Sequence, residues 1–140
     1  TERQFRNIFK KASNTKGDTS QILIELLERR LDATVYRMKF VPTIFSARQL
    51  VNHGHVKVNG KRVNIPSFSV KDGDEISIKD KSKEINLIVE SISSQEREIP
   101  EYLEVDVKEL KGRFLRAPLI HDVPYPVTME PNLVIEYYSR

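Results

Sequence analysis

The dipeptide Asn59-Gly60 constrains the fold of this chain more than any other feature. Both central residues of a tight hairpin turn need a positive φ, which Asn and Gly adopt with little strain. Residues 56–58 alternate Val-Lys-Val before the turn, as in a half-buried strand, and residues 63–65 form the predicted return strand. A further alternation at residues 75–79 predicts a third strand.

Helical periodicity precedes this hairpin. It predicts one helix at 2–12, a second that begins at Asp18 or Thr19, a third at 32–38, and a fourth from Thr43 or Ser46 to about residue 52. Gly54 follows the fourth helix, where a helix end needs a residue in the left-handed conformation. We therefore predict an α+β protein in which two helices pack on a small, mostly antiparallel sheet.

The second half of the chain is predicted less sharply. Apolar spacing indicates a helix at 81–97 and a shorter, acidic one at 101–111. Three prolines predict an extended or looped segment at 112–129. Alternation at 133–138 predicts a terminal strand.

Charge is distributed unevenly along the chain. The net charge of +3 conceals a basic half, because residues 1–62 carry 13 Lys and Arg against 5 Asp and Glu. Such a concentration is typical of proteins that bind phosphates, although Lys and Arg can equally solvate helix faces. The absence of Cys excludes disulfides, thiolate metal sites and Cys nucleophiles, and no apolar stretch is long enough to predict a membrane span.

The candidate binding residues surround the hairpin. Arg48 and Gln49 lie on the preceding helix, and Lys57, Asn59, Lys61 and Arg62 lie at the turn. Lys and Arg neutralise phosphates, while Asn and Gln contact bases or backbone, so this group predicts a nucleic-acid surface. The alternative is a solvated hairpin with no ligand.

Two short motifs suggest other chemistry. His53-Gly54-His55 offers two imidazoles to a metal, but no third ligand is near in sequence, so a polar contact to RNA or solvent is favoured. The triplet Arg30-Leu31-Asp32 matches the catalytic Arg-Leu-Asp of pseudouridine synthases, but no separate catalytic domain of adequate size remains. We expect Asp32 to cap a helix or pair with a nearby arginine, and the chain not to be an enzyme.

Several motifs together carry a family resemblance. The segments 30–32, 47–51, 54–60 and 73–74 resemble the RNA-binding module named for ribosomal small-subunit protein four, which also occurs in pseudouridine synthases, tyrosyl-tRNA synthetases and a heat-shock protein. The flanking segments 2–7, 31–38, 102–106 and 133–140 resemble the bacterial-type ribosomal protein itself. The resemblance covers essentially all 140 residues, without the Lys- and Arg-rich N-terminal region of that family.

The resemblance implies a protein without catalytic activity, and the residues themselves lead us to expect neither a cofactor nor a metal. It implies a discontinuous helical lobe at 1–24 and 99–140, with an inserted RNA-binding module at 25–98 whose core is 28–80. The implied partners are the 5′ domain of small-subunit ribosomal RNA, neighbouring ribosomal proteins and messenger RNA. The ribosomal RNA is bound early in assembly. The family also represses its own translation in bacteria and lies near the channel where messenger RNA enters. The implied location is a bacterial or organellar ribosome.

The residues implied to face RNA are Arg37, Arg48, Gln49, His53, Lys57, Asn59 and Lys61, with a second contact from Arg3, Arg6, Lys10 and Lys11. Two alternatives stay open: a stand-alone regulatory RNA-binding module and a subunit of an RNA-modifying enzyme. A regulatory module would not need the tail at 133–140, so deleting that tail discriminates between the readings.

Overall fold

The computed structural model describes Arg3 and residues 19–94, 97–119 and 122–123. The chain divides into two compact units, Thr1–Glu28 with Pro118–Arg140, and Arg29–Ala117. Within the described residues, no helix is long and apolar enough to cross a membrane.

The first unit contains helix α1 (Thr19–Glu28). Leu23, Ile24 and Leu27 are buried, as apolar residues spaced by three or four positions on one helix face should be. Gln21 Nε2 donates a hydrogen bond to the carbonyl oxygen of Pro118 at 2.7 Å. This bond joins two segments that lie 97 residues apart in the sequence.

The second unit begins with helix α2 (Leu31–Arg37), which packs against helix α3 (Ile44–Asn52). The N-cap residue of α2, Arg30, makes no side-chain capping bond. The first amides of the helix are satisfied by a distant loop instead, since the N–H groups of Leu31 and Asp32 donate to the carbonyls of Phe68 and Pro66. A 3-10 turn (Asp80–Ser82) and helix α4 (Asn86–Ser93) follow later in this unit.

One antiparallel sheet forms the rest of the second unit. Its strands are β1 (Val56–Val58), β2 (Lys61–Arg62), β3 (Glu75–Ile78), β4 (Leu103–Asp106) and β5 (Lys111–Phe114), and their spatial order is β2-β1-β3-β5-β4. One face is buried and apolar, with Val56, Val58, Ile76, Ile78 and Phe114. The other face carries the polar residues of β1, β3, β4 and β5 and Arg62 of β2, in the alternation expected of a half-buried sheet. Lys61 lies opposite Val58 and is exposed at the β2 edge.

The structure confirms the predicted α+β class and the local elements around the hairpin. Strands β1 and β2 pair across Asn59 (φ +51) and Gly60 (φ +81). Strand β3 lies where the third strand was expected. Helices α2 and α3 match the predicted helices at 32–38 and 43–52 within one residue at most ends.

Other sequence predictions differ from the structure. The return strand is 61–62, not 63–65, because the two-residue turn sets the register directly after Gly60. The helix predicted at 81–97 is only Asn86–Ser93, preceded by the 3-10 turn. Residues 101–111 are not helical, and β4 and β5 pair as a hairpin instead.

The two units also divide the chain differently from the predicted lobes at 1–24 with 99–140 and at 25–98. Strand β5 pairs with β3, with Lys111 opposite Ser77, so residues 103–114 belong to the sheet unit. The predicted helix at 2–12 lies outside the described residues except for Arg3, and the predicted terminal strand at 133–138 lies wholly outside them.

Candidate nucleic-acid interface

Helix α3 presents Arg48 and Gln49 away from the core. Thr43 caps the helix, since its Oγ1 accepts a hydrogen bond from the Ser46 N–H at 3.0 Å. Ala47 is fully buried on the inner face, so the helix cannot rotate without exposing its apolar side. Gln49 is consequently exposed, and Arg48 is half-exposed beside it.

The end of α3 turns the chain into strand β1 through Gly54. The Gly54 N–H donates to the Val51 carbonyl, and the His55 N–H donates to the Leu50 carbonyl. This hydrogen-bond pattern at a helix end needs a residue in the left-handed conformation, and Gly54 supplies it with φ +81. A Cβ on Gly54 would lie 2.3 Å from Nη2 of Arg62. The guanidinium of Arg62 therefore lies directly against this backbone, which brings a cation of the hairpin to the end of the helix.

A buried carboxylate orients Arg48. Asp32 is 1% exposed, and its Oδ2 accepts a hydrogen bond from Arg48 Nε at 3.1 Å. Its Oδ1 accepts from Arg30 Nε at 3.1 Å and from the Ala33 N–H at 2.7 Å. The expected pairing of Asp32 with a nearby arginine is confirmed for Arg30, whereas the contact with Arg48 was not predicted. The side chain of Arg48 is 30% exposed, so it is held in place and still open to solvent.

The hairpin is fixed to strand β3 by Asn59. Its Nδ2 donates to Asp74 Oδ1 at 2.9 Å, and its Oδ1 accepts from the Glu75 N–H at 2.9 Å. Its own N–H donates to the Glu75 carbonyl at 2.8 Å. The Asn59 amide thus stabilises the turn, and Lys61 is the exposed cation that the turn positions.

The polar face of the sheet changes in charge from one edge to the other. Lys57 and Arg62 lie opposite each other on β1 and β2. Toward the far edge, Arg113 lies opposite both Glu75 and Glu104, and its guanidinium is 3.8 Å from the Glu75 carboxylate. The β2 edge is therefore basic, whereas the β4 edge is mixed in charge.

His55 lies among cations where the helix meets the hairpin. Its Nδ1 lies 2.6 Å from Ser82 Oγ. Burial lowers the pKa of His55 below its usual 6.5, and the charges of His53, Lys79 and Arg62 lower this pKa further. Lys79 was not predicted as a site residue, although it continues the alternation of β3 on the face that carries Lys57.

The histidines do not form a metal site with other ligands in the part of the chain that the structure describes. The rings of His53 and His55 are 6.4 Å apart and edge-on. No group of three or more His, Cys, Asp or Glu residues within the described ranges is arranged to hold a metal ion.

The remaining predicted residues are placed differently. Arg37 is 4% exposed, with its guanidinium 5.2 Å from the ring centre of the preceding tyrosine, so it does not lie on the exposed surface. Arg3 is an exposed residue in helical conformation and belongs to the first unit. Arg6, Lys10 and Lys11 lie outside the described residues.

We call the exposed and half-exposed polar group of the second unit the basic face. Its members come from α3, the hairpin and the end of β3, and they are Arg48, Gln49, His53, Lys57, Lys61, Arg62 and Lys79. The face is built on helix and strand backbone, which fixes the spacing of its cations.

Comparison with known proteins identifies this architecture. Residues 29–76, which hold most of the basic face, match the S4 domain family. The whole chain is 59% identical to the small ribosomal subunit protein uS4 of Gluconacetobacter diazotrophicus and spans 68% of that protein. It is 61% identical over 140 residues to uS4 of Paramagnetospirillum magneticum, also spanning 68% of it. The chain belongs to the uS4 family. A further uS4 protein, from Rhodospirillum centenum, is 60% identical over 139 residues.

Membership of the uS4 family confirms the resemblance found in the sequence and makes the chain a non-enzymatic protein. The Arg30-Leu31-Asp32 triplet agrees with this conclusion in the structure. Asp32 is buried and bonded to two arginines, so its carboxylate is held by structural contacts and has no open approach for a nucleoside.

Proposed function

We propose that this uS4 family member is a structural constituent of the small ribosomal subunit and binds its ribosomal RNA through the basic face. The observation that carries the proposal is Arg48, which a buried carboxylate holds half-exposed on α3, the helix whose end is followed by Gly54 lying against Arg62 of the cationic hairpin. Structured RNA is recognised largely through its shape and phosphates, which a rigid set of cations at fixed spacing can match.

Arginine, lysine and amide side chains of this region have different parts in the mechanism. Arg48, Lys61 and Arg62 neutralise phosphates and release counterions. Gln49 supplies an amide for a base edge or a ribose. Asn59 is fixed by bonds to Asp74 and the backbone of Glu75, so it supports the interface by holding the turn.

The finer parts of the proposal concern partners and timing. The RNA target is the 5′ domain, bound early in assembly, with a second contact from Arg3, Arg6, Lys10 and Lys11. The β4 edge, with Glu104 opposite Arg113, disfavours phosphates and suits neighbouring ribosomal proteins.

Messenger RNA is a further proposed partner, both in translational self-repression and at the channel where messenger enters. The relatives named above come from bacteria, which supports a cytoplasmic bacterial ribosome, with an organellar ribosome as the alternative.

The test is a filter-binding titration of the full chain against the 5′-domain transcript of small-subunit ribosomal RNA, with transfer RNA as competitor, at two salt concentrations. We expect selective binding that weakens steeply as salt rises. Binding that transfer RNA abolishes at equal concentration would refute the proposed target. Cross-linking to subunit proteins in assembled particles tests the second set of partners.

A further inference from the structure

We propose that helix α3 carries a subsite for a single unpaired RNA nucleotide, in which the ring of Phe45 stacks on the base and Arg48 binds an adjacent phosphate. The inference rests on the proposed function and adds a contact that charge alone does not provide.

The first observation is the position of Phe45. Its side chain is 73% exposed, more than any other large apolar side chain in the described part of the chain. Ala47 and Val51 are fully buried on the inner face of the same helix, so the helix holds Phe45 outward. Single exposed apolar residues are common, so the neighbours of Phe45 decide what its exposure means.

Those neighbours supply the other contacts that a nucleotide needs. Arg48 and Gln49 follow Phe45 by three and four positions, which places them next to it on the helix surface. Asp32 holds the Arg48 guanidinium through Nε at 3.1 Å. An aromatic ring, an oriented cation and an exposed amide therefore lie together, and they are suited to the base, the phosphate and the base edge of one nucleotide.

The same surroundings argue against a protein partner at Phe45. Thr43, Gln49 and Asn52 are exposed and polar, and the apolar residues near Phe45 in the sequence are the exposed Pro42 and the half-buried Ile44. The buried centre of a protein interface is built from several large apolar and aromatic side chains, whereas Phe45 is the one large exposed apolar side chain of α3. A single exposed ring beside a cation and an amide instead suits a base, because every base has a π-face and its edges stay hydrogen-bonded to water or amides.

The test compares three variants of Phe45 in the full chain, titrated against the 5′-domain transcript. Phe45→Ala and Phe45→Leu should weaken binding by about 5- to 150-fold, the range for losing one stacked base. Phe45→Tyr keeps the ring and should bind like the parent chain. Val89→Ala, at another exposed apolar position on α4, is the matched control and should have no effect.

The dependence on salt separates stacking from charge. Phe45→Ala should leave the slope of log affinity against log salt unchanged, whereas Arg48→Ala should reduce it by about one. Chemical probing of the complex should find an unpaired base that the parent protects and Phe45→Ala leaves reactive. Circular dichroism establishes that the variants fold.

Three results would overturn the subsite while leaving the proposed function intact: parent-like binding by Phe45→Ala, parent-like binding by Phe45→Leu alone, or loss of binding in Phe45→Tyr. The second would mean an apolar contact without stacking. Failure of the parent chain to bind the transcript selectively would overturn the proposed function and the subsite together.

Discussion

Asp32 is a buried carboxylate whose partners include both a core arginine and an arginine of the basic face. The sequence predicted that Asp32 would cap a helix or pair with Arg29, Arg30 or Arg37, and the structure shows the pairing with Arg30. The sequence could not predict the bond to Arg48, which depends on how α2 packs against α3. The exposure of Gln49 and Lys61 followed from local patterns, whereas the burial of Arg37 depends on tertiary packing.

Removing this carboxylate should be costly. We expect Asp32→Ala to lower the free energy of unfolding by about 3–5 kcal/mol, because a buried ion pair loses one partner. Urea denaturation measures the loss. Asp72→Ala is the control, since Asp72 pairs with Arg29 at 2.8 Å but is 58% exposed, and a surface pair contributes about 0–1 kcal/mol. Equal losses in the two variants would contradict the structural role of Asp32.

His55 should make stability depend on pH. Its pKa is lowered in the folded state, first by burial and then by nearby cations. Below pH 6.5 the unfolded chain therefore takes up a proton that the folded chain resists, and this contribution to stability is lost as pH falls through the folded pKa. Melting temperatures at pH 7.5 and 5.5 should differ less in His55→Gln than in the parent.

His53→Gln is the control for this experiment. His53 is exposed, and its charge is a smaller cause of the shift than burial, so this variant should keep most of the pH dependence. A parent-like pH profile in His55→Gln would assign the dependence to other groups.

Among the elements, the hairpin was predictable and the last two strands were not. Asn59-Gly60 specifies its turn through the φ of two adjacent residues, so no distant contact is needed. Strand β5 contains Gly112, whose missing Cβ allows close approach: a Cβ there would lie 2.8 Å from the Glu104 carbonyl oxygen. Its pairing with β3 joins residues more than thirty positions apart, and no local pattern of residues 111–114 indicates it.

The hairpin can be tested by separating its backbone from its side-chain contacts. Asn59→Ala should cost about 2–3 kcal/mol, because it removes two side-chain hydrogen bonds and puts Ala, which adopts a positive φ less readily than Asn, at this position of the turn. Asn59→Gly keeps the backbone conformation and should cost less, about 1–2 kcal/mol. Denaturant unfolding compares the two. The reverse order would mean that the positive φ of the turn backbone is not the limiting feature.

For the molecule as a whole, the charge asymmetry read from the sequence has a spatial counterpart. Lys57, Lys61 and Arg62 of the basic first half lie at the β2 edge of the sheet, while Glu104 and Asp106 lie on the strand at the opposite edge. Composition predicted a phosphate-binding region. It did not predict that one edge of the sheet would carry cations alone and the other edge cations paired with carboxylates, because that depends on the strand order.

This separation predicts which cations control RNA binding. Lys61→Ala should weaken binding to the 5′-domain transcript and lower the salt slope by about one, because one phosphate contact is lost. Lys108→Ala is the matched control, since Lys108 is an exposed lysine between β4 and β5. Filter binding at several salt concentrations gives both slopes. A change in slope for Lys108→Ala as large as that for Lys61→Ala would show that net charge, not position, determines affinity.

The strand order also bears on how the chain folds during its own synthesis. Strand β3 ends at Ile78, but its second neighbour, β5, begins only at Lys111. At about 5–20 residues per second, β3 has one unpaired edge for roughly 2–6 seconds of translation. The cationic hairpin is complete throughout this interval, while the acidic strand β4 is made only near its end. A nascent chain thus presents its most positive surface to RNA before the last two strands of its sheet have paired.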